Sequence, residues 1–363
     1  MATDLRVPLS DAEKSCAPRT VCVTGATGYL AGLVVQRLLA SGHTVHGTCR
    51  SPDNEALVAG LKALPGAGER LKLFKADLLT AGSFDAAVRG CQCVMHTASP
   101  YVVERTQGRE REMLIEPAVR GTENVLESVT RCESVTRVVL TSSCAAIYGE
   151  ADEKGEGHIF SEEDWDEAAT ETHLPYSYSK RVAEEKAWEM CKKQSRWTMC
   201  AMNPSQIFGP PTSSRTDGVS VSMVKTLMTG GMWPAAPAIG LGVVDVRDVA
   251  AAHCRAMAKD DASGRYILCS RSLHLLEIAA LLREKFPKAC WLPRYKAPKA
   301  LVVALAPLLG MGRDIARSQI NKTPLFDNSK AKRELGMEFI DPSETLEDQV
   351  NGMVKLGIMQ KKF

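Results

Sequence analysis

The chain has 363 residues, with 45 basic against 43 acidic side chains and 45% apolar content. The length fits two domains or one large one, and the apolar content excludes wholesale disorder. A net charge of +2 gives no global reason to expect nucleic acid or an anionic membrane as partner. The twelve cysteines are scattered, and several sit in apolar runs, as Cys22 and Cys269 do, where a small buried hydrophobe is the expected role. Cys91 and Cys93 lack a second pair at zinc-site spacing, so no metal site is expected. The N-terminus is polar and mixed in charge, without the apolar core of a secretory leader. The longest apolar stretch, Ala300–Met311, contains Pro307 and is too short to span a bilayer. These features predict a cytoplasmic protein with no membrane span; the expected partner is a small-molecule substrate and the expected state a monomer or homodimer.

In chain order, a polar extension (residues 1–18) precedes an alternation of short β-branched runs and longer helical stretches. Strands are predicted at Thr20–Thr24, Thr44–Arg50, Leu71–Asp77, Cys93–Ser99, Arg137–Ser143, Met199–Phe208 and Tyr266–Cys269. Most are continuous apolar runs, the pattern of strands covered on both faces. Helices are predicted at Tyr29–Ser41, Asn54–Ala63, Ser83–Arg89, Glu112–Arg131 and Ser177–Lys193. The fold class is therefore α/β: a Rossmann-type, doubly wound parallel sheet with a smaller, mostly helical C-terminal lobe. The expected division is a dinucleotide-binding domain over 19–209, completed by 243–272, and a substrate lobe from 210–242 and 273–363.

The first strand runs into TGATGYLAG. Gly25 and Gly28, with Thr27 between them, suit a tight turn approached closely by a pyrophosphate. Tyr29 and Leu30 open a helix whose N–H groups and dipole favour an anion. A third glycine would fall at Ala31, where a methyl group is tolerable because packing decides that position. Arg50 ends the second strand, where NAD sites carry an acid and NADP sites an arginine, so NADP is the expected cofactor. Asp77, followed by Leu78, is a candidate acceptor for the adenine amino group. Thr97, Ala98 and Ser99 would let the fourth strand's end pass close beneath the cofactor. His96 is expected to be a packed strand-end histidine.

The fifth strand ends in TSS, and the next long helix opens PYSYSK. Tyr176 and Lys180, four apart, share one helix face. A free tyrosine titrates near 10 and needs a neighbouring cation to serve as an acid–base group at neutral pH. A serine hydroxyl would hold the substrate oxygen. Ser142 and Ser143 point to opposite faces of a strand, and spacing alone leaves the choice open.

Together these motifs resemble the extended short-chain dehydrogenase/reductase family, in its dihydroflavonol 4-reductase and cinnamoyl-CoA reductase branch. VTGATGYLAG, GTCRSP, VMHTASP, VVLTSSCAAIYG, YSYSKRVAEEKAW and NPSQIFGPP carry the resemblance, which spans nearly the whole chain. It implies Ser143, Tyr176 and Lys180 as the catalytic set. It also implies cofactor contacts at Arg50, Asp77, Leu78, Thr97, Ala98 and Pro204, and a relay role for Asn124. The chain departs from the branch at Tyr148, where dihydroflavonol reductases read ring hydroxyls with an asparagine. It also reads HLPYSYSK where cinnamoyl-CoA reductases carry NWYCYGK. The expected activity is NADPH-dependent reduction of an aldehyde or ketone. The competing readings are a nucleotide-sugar epimerase or dehydratase using Arg313 and Arg317, a hydroxysteroid-type dehydrogenase, and a non-catalytic NADP sensor. Ala300–Met311 is expected to be a packed lobe helix or a lid, and Cys144 is a candidate oxidation sensor.

Overall fold

A computed structural model describes residues 5–100, 108–213, 218–306 and 313–360, with the side chains of 314 and 315 outside the description. Seven parallel strands form the main sheet: β1 (Thr20–Val23), β2 (Thr44–Cys49), β3 (Leu71–Lys75), β4 (Cys93–His96), β5 (Arg137–Thr141), β6 (Thr198–Pro204) and β7 (Gly264–Leu268). Their order is β7-β6-β5-β4-β1-β2-β3, so the winding direction reverses between β1 and β4. In such sheets ligands bind outside the strands' carboxyl ends at that reversal. The doubly wound expectation holds.

Alternation along β1 shows why both faces are apolar. Val21 and Val23 point into a core shared with the helices Tyr29–Ala40 and Val246–Ala258. Cys22, between them, points into the opposite core, with Val125 and Val129 of the helix Glu116–Arg131 and with Trp197. A strand buried on both sides needs no polar alternation.

The structure alters two sequence expectations. The predicted strand Met199–Phe208 is two strands: β6 stops at Pro204, and Gln206–Phe208 crosses into a separate sheet beside Gly240–Asp245 and Arg271–His274. Pro204 has no N–H for the ladder, and the chain leaves the sheet just beyond it. The first residues, read as a polar extension, dock: Val7 joins the main core, and Glu13 in the short helix Asp11–Ser15 is buried. Arg37 grips Glu13 with a two-pronged ion pair at 2.6 and 2.7 Å and donates further to the carbonyl of Val7. Such a fork stays in place only when its donors and acceptors are satisfied together.

The smaller core packs Phe208, Val224, Leu227, Ile278, Leu346 and Met353 around the three-stranded sheet. Ala331, Leu335 and Met337, although late in the chain, pack back onto the main core. Of the Ala300–Met311 stretch, Lys299–Leu305 is a helix that buries Val302, and residues 307–312 lie outside the described ones. Among the described residues no helix is long and apolar enough to cross a membrane.

Candidate active site

The loops after β1 and β4 are stitched together at the winding reversal. Thr24 N–H donates to Met95 O, the Thr97 hydroxyl donates to Thr24 O, and Ala98 N–H donates to the Thr24 hydroxyl. Gly25 is left-handed, with φ of +66°, and a Cβ there would lie 3.1 Å from the Ala98 methyl. Only glycine meets both demands. Gly28 caps the helix Tyr29–Ala40 with no side-chain acceptor, and the first turn contains no acid. The first N–H groups of that helix are thus left to an external anion.

The side chains of Tyr29 and Leu30 turn away from this mouth. Leu30 joins the main core, and the buried Tyr29 hydroxyl lies beside Gly209 and Asp245. Both residues offer only backbone N–H groups to the loop. Arg50, at the end of β2, is exposed and makes no ion pair among the described residues. Asp77 turns its carboxylate onto the Leu79 N–H at 2.8 Å, and Leu78 lines the crevice.

A crevice open to solvent lies between Ala98, Ser99, Leu140, Ser142, Lys180 and their neighbours. Tyr176 and Lys180 both project from the helix Pro175–Lys192, with the ammonium 5.7 Å from the Tyr176 ring centre. Lys180 Nζ donates to Ser99 Oγ at 2.9 Å, which ties this helix to the β4 end. Tyr176 is half exposed. Leu174, just before the helix, holds a left-handed φ of +52°, an unusual conformation for leucine that sets the chain's entry toward Tyr176. Pro204 is buried at the end of β6.

Sequence reasoning missed the group that joins these parts. Glu184, one turn beyond Lys180 and 1% exposed, accepts from the Ser142 hydroxyl, from Asn203 Nδ2 at 2.8 Å and from Trp188 Nε1 at 3.1 Å. Arg265 Nε reaches it at 2.7 Å, and the guanidinium lies 3.9 Å from the Trp165 ring centre. Asn203 also donates to Ser143 O at 3.1 Å. The i, i+4, i+8 spacing of Tyr176, Lys180 and Glu184 was the available signal.

This network distinguishes the two serines. Ser142 is buried and gives its proton to Glu184. Ser143 caps the turn Cys144–Ala146, where its oxygen accepts the Ala145 N–H at 3.1 Å, leaving its own O–H to donate elsewhere.

Four further expectations change or resolve. Asn124 is fully used as a staple: it accepts from Gly82 N–H at 2.9 Å and donates to Leu78 O and Thr80 O, which leaves no relay capacity. Cys144 is buried, and its thiol donates to Asn203 O at 3.1 Å. Burial pushes that thiol well above its ordinary range, the opposite of what an oxidation sensor needs. Tyr148 packs between Phe160 and Phe326, at 5.4 and 5.2 Å, and burial raises its hydroxyl. Arg313 and Arg317 sit on one exposed lobe helix and do not line the crevice.

The fold and site define a dinucleotide-fold enzyme with its crevice at the sheet's switch point. Residues 21–269 match the model of the NAD dependent epimerase/dehydratase family. The chain is 39% identical to cinnamoyl-CoA reductase CAD2 of Medicago truncatula over 269 residues, 74% of this chain and 81% of that one. It is 37% identical to tetraketide alpha-pyrone reductase 2 of Arabidopsis thaliana, covering 73% of this chain and 82% of that one. Among solved structures it superposes on yeast methylglyoxal/isovaleraldehyde reductase Gre2 complexed with NADPH. There the TM-score is 0.77 at 28% identity, over 93% of this chain and 99% of that one. The chain belongs to the NAD dependent epimerase/dehydratase family, and within it to the extended short-chain branch of dihydroflavonol and cinnamoyl-CoA reductases; it is an oxidoreductase.

Two buried histidines tie the site to the sheet. His96 takes the Thr24 hydroxyl on Nδ1 at 2.9 Å, and burial lowers its pKa to about 3, with Lys180 adding to the shift. His253 donates from Nδ1 to Val249 O and accepts the Thr141 hydroxyl on Nε2, and burial lowers it to about 4. Both are neutral structural groups. Unfolded, they would protonate near 6.5, so their stabilisation is present above that pH and is lost as pH falls toward 4 and then 3. The stability gap between wild type and His253→Gln should therefore shrink by up to about 3 kcal/mol on acidification through this window. Urea titrations at several pH values check this, and a gap independent of pH would contradict it.

Proposed function

We propose that the protein is an NADPH-dependent reductase converting a hydrophobic or aromatic aldehyde or ketone to the alcohol, with Ser143, Tyr176 and Lys180 as its catalytic residues. One observation carries the reading. A single helix carries Tyr176 beside Lys180, Lys180 lines the crevice, and the same helix is bonded through Glu184 to the strand end that bears Ser143. The relatives are named as reductases of cinnamoyl-CoA, of tetraketide alpha-pyrone and of methylglyoxal/isovaleraldehyde, and the last is described with NADPH.

The residues present fit that cofactor. A glycine cradle closed against Ala98 and an acid-free helix start suit a pyrophosphate, and the unpaired Arg50 suits a 2′-phosphate. Leu78, Ala98 and Ser99 line the crevice, and Asp77, Thr97, Thr27, Tyr29, Leu30, Tyr176, Lys180 and Pro204 complete the set assigned to cofactor binding. Bound there, NADPH supplies the hydride.

The chain's own residues manage the oxygen and the proton. Ser143 donates its free O–H to the carbonyl oxygen and stabilises the negative charge that develops on it. Tyr176 passes its phenolic proton to that oxygen. The Lys180 ammonium favours the phenolate left behind. Its bond to Ser99 holds it at the mouth, within the region expected to take the nicotinamide ribose. Ser142 lacks a free proton and serves as structure. The same reading places the protein in the cytosol as a monomer or homodimer, and its twelve free cysteines suit a reducing compartment.

Tyr176→Phe should fold normally, keep NADPH binding and lose at least about a hundredfold in kcat, because general acid catalysis supplies roughly that factor. Wild-type turnover by the folded variant would end this mechanism. Arg50→Ala should lower the NADPH-to-NADH ratio of kcat/KM by roughly tenfold or more, the worth of a charge-assisted phosphate contact. An unchanged ratio would remove Arg50 from cofactor selection.

A further inference from the structure

The lobe carries a surface that the reductase reading does not use. From Lys288 to Arg313 the chain holds five basic residues and no acidic one, although the whole protein is almost neutral. Lys288, Arg294, Lys296 and Lys299 are all exposed, and none is ion-paired among the described residues. Interleaved with them are large apolar side chains that also face solvent. Trp233, Trp291, Tyr295, Leu301 and Leu305 are between 41% and 67% exposed. Contiguous exposed apolar area of this kind is uncommon on a soluble protein and marks a contact surface.

Backbone pairing gathers these groups on one part of the fold. Trp233 and Trp291 meet edge to face at 5.5 Å. The N–H groups of Arg294 and Tyr295 both donate to Pro234 O, and Tyr295–Lys296 pairs with Ala235–Ala236. Directly beyond, the helix Lys299–Leu305 buries Val302, with Ala306 next to it, against Ala316 and Ile320. Its other side leaves Leu301 and Leu305, one turn apart, in solvent behind Lys299.

We propose that this surface docks the protein peripherally on an anionic lipid bilayer. Tryptophan and tyrosine favour the headgroup level, where an apolar ring and a polar edge are both accommodated, and leucines enter the acyl boundary. The four free cations meet the negative surface potential, which attracts each by about 1 kcal/mol. Charge complementarity selects this partner, because a purely apolar docking face would gain nothing from the four exposed cations beside it. The docking is superficial and requires no spanning helix.

The test is co-sedimentation of the full chain with phosphatidylcholine vesicles and with phosphatidylcholine–phosphatidylserine vesicles at low and high salt. Binding is expected to the mixed vesicles alone and to be released by salt. The Lys296→Gln, Lys299→Gln pair should weaken partitioning about 25-fold, at about fivefold per cation. Trp291→Ala should weaken it about tenfold or more, as expected for loss of a buried apolar side chain. Circular dichroism of each variant checks its fold, and the salt response of the wild type decides the question without any variant. No binding to the mixed vesicles, or equal salt-insensitive binding to neutral ones, would overturn the proposal. So would a solution dimer that covers this face and dissociates in the Trp291→Ala variant.

Discussion

Glu184 is the constraint on which the candidate site depends. Burying a carboxylate costs several kcal/mol unless its oxygens are fully engaged, and here they are. Ser142, Asn203, Trp188 and Arg265 supply donors from β5, β6, the Tyr176 helix and β7 or the segments directly following them. Three adjacent strands and the helix carrying Tyr176 and Lys180 therefore share one charge. Because these long-range bonds converge, the strand end carrying Ser143 and the helix carrying Tyr176 and Lys180 are held in a fixed relation. The arrangement also commits each of the tandem serines to a separate duty, since Ser142 donates its hydroxyl proton to Glu184 whereas Ser143 accepts from Ala145 N–H and keeps its own proton free.

The same economy recurs at the cofactor side. Thr24 joins β1 to the β4 end through three hydrogen bonds, and His96 caps that junction as a neutral group. The result is a rigid floor beneath an open helix N-terminus. Under the proposed function, a phosphate-bearing ligand would be met by local backbone dipoles and by the exposed Arg50, so a net charge of +2 is no obstacle. Near-neutrality overall conceals a basic surface on the lobe, formed by Lys288, Arg294, Lys296 and Lys299.

Much of the frame was legible in the sequence because it rests on local pattern. Continuous apolar runs such as TVCV identify strands covered on both faces, and the glycine loop, TSS and the Tyr–Lys spacing fall at element ends in the order the fold demands. What escaped is pairing at long range. Glu184 meets Ser142 across 42 residues and Arg265 across 81, and no local spacing encodes either contact. Glu13 reads as a solvated acid in a polar segment, until Arg37, 24 residues on, draws it into the core. Cys144 shows the same limit: adjacency to Ser143 suggests reactivity, whereas what suppresses it is burial and a hydrogen bond to Asn203 O of β6.

The account stands on net hydride transfer to a carbonyl, as opposed to the cofactor recycling of an epimerase. Turnover with NADPH deuterated at nicotinamide C4, against a panel of aromatic and aliphatic aldehydes and ketones, tests this directly. The expected result is an alcohol carrying one deuterium on its carbinol carbon, with one NADP formed per alcohol. Tightly bound NAD that survives turnover, with no NADPH consumed and no label in any product, would contradict it.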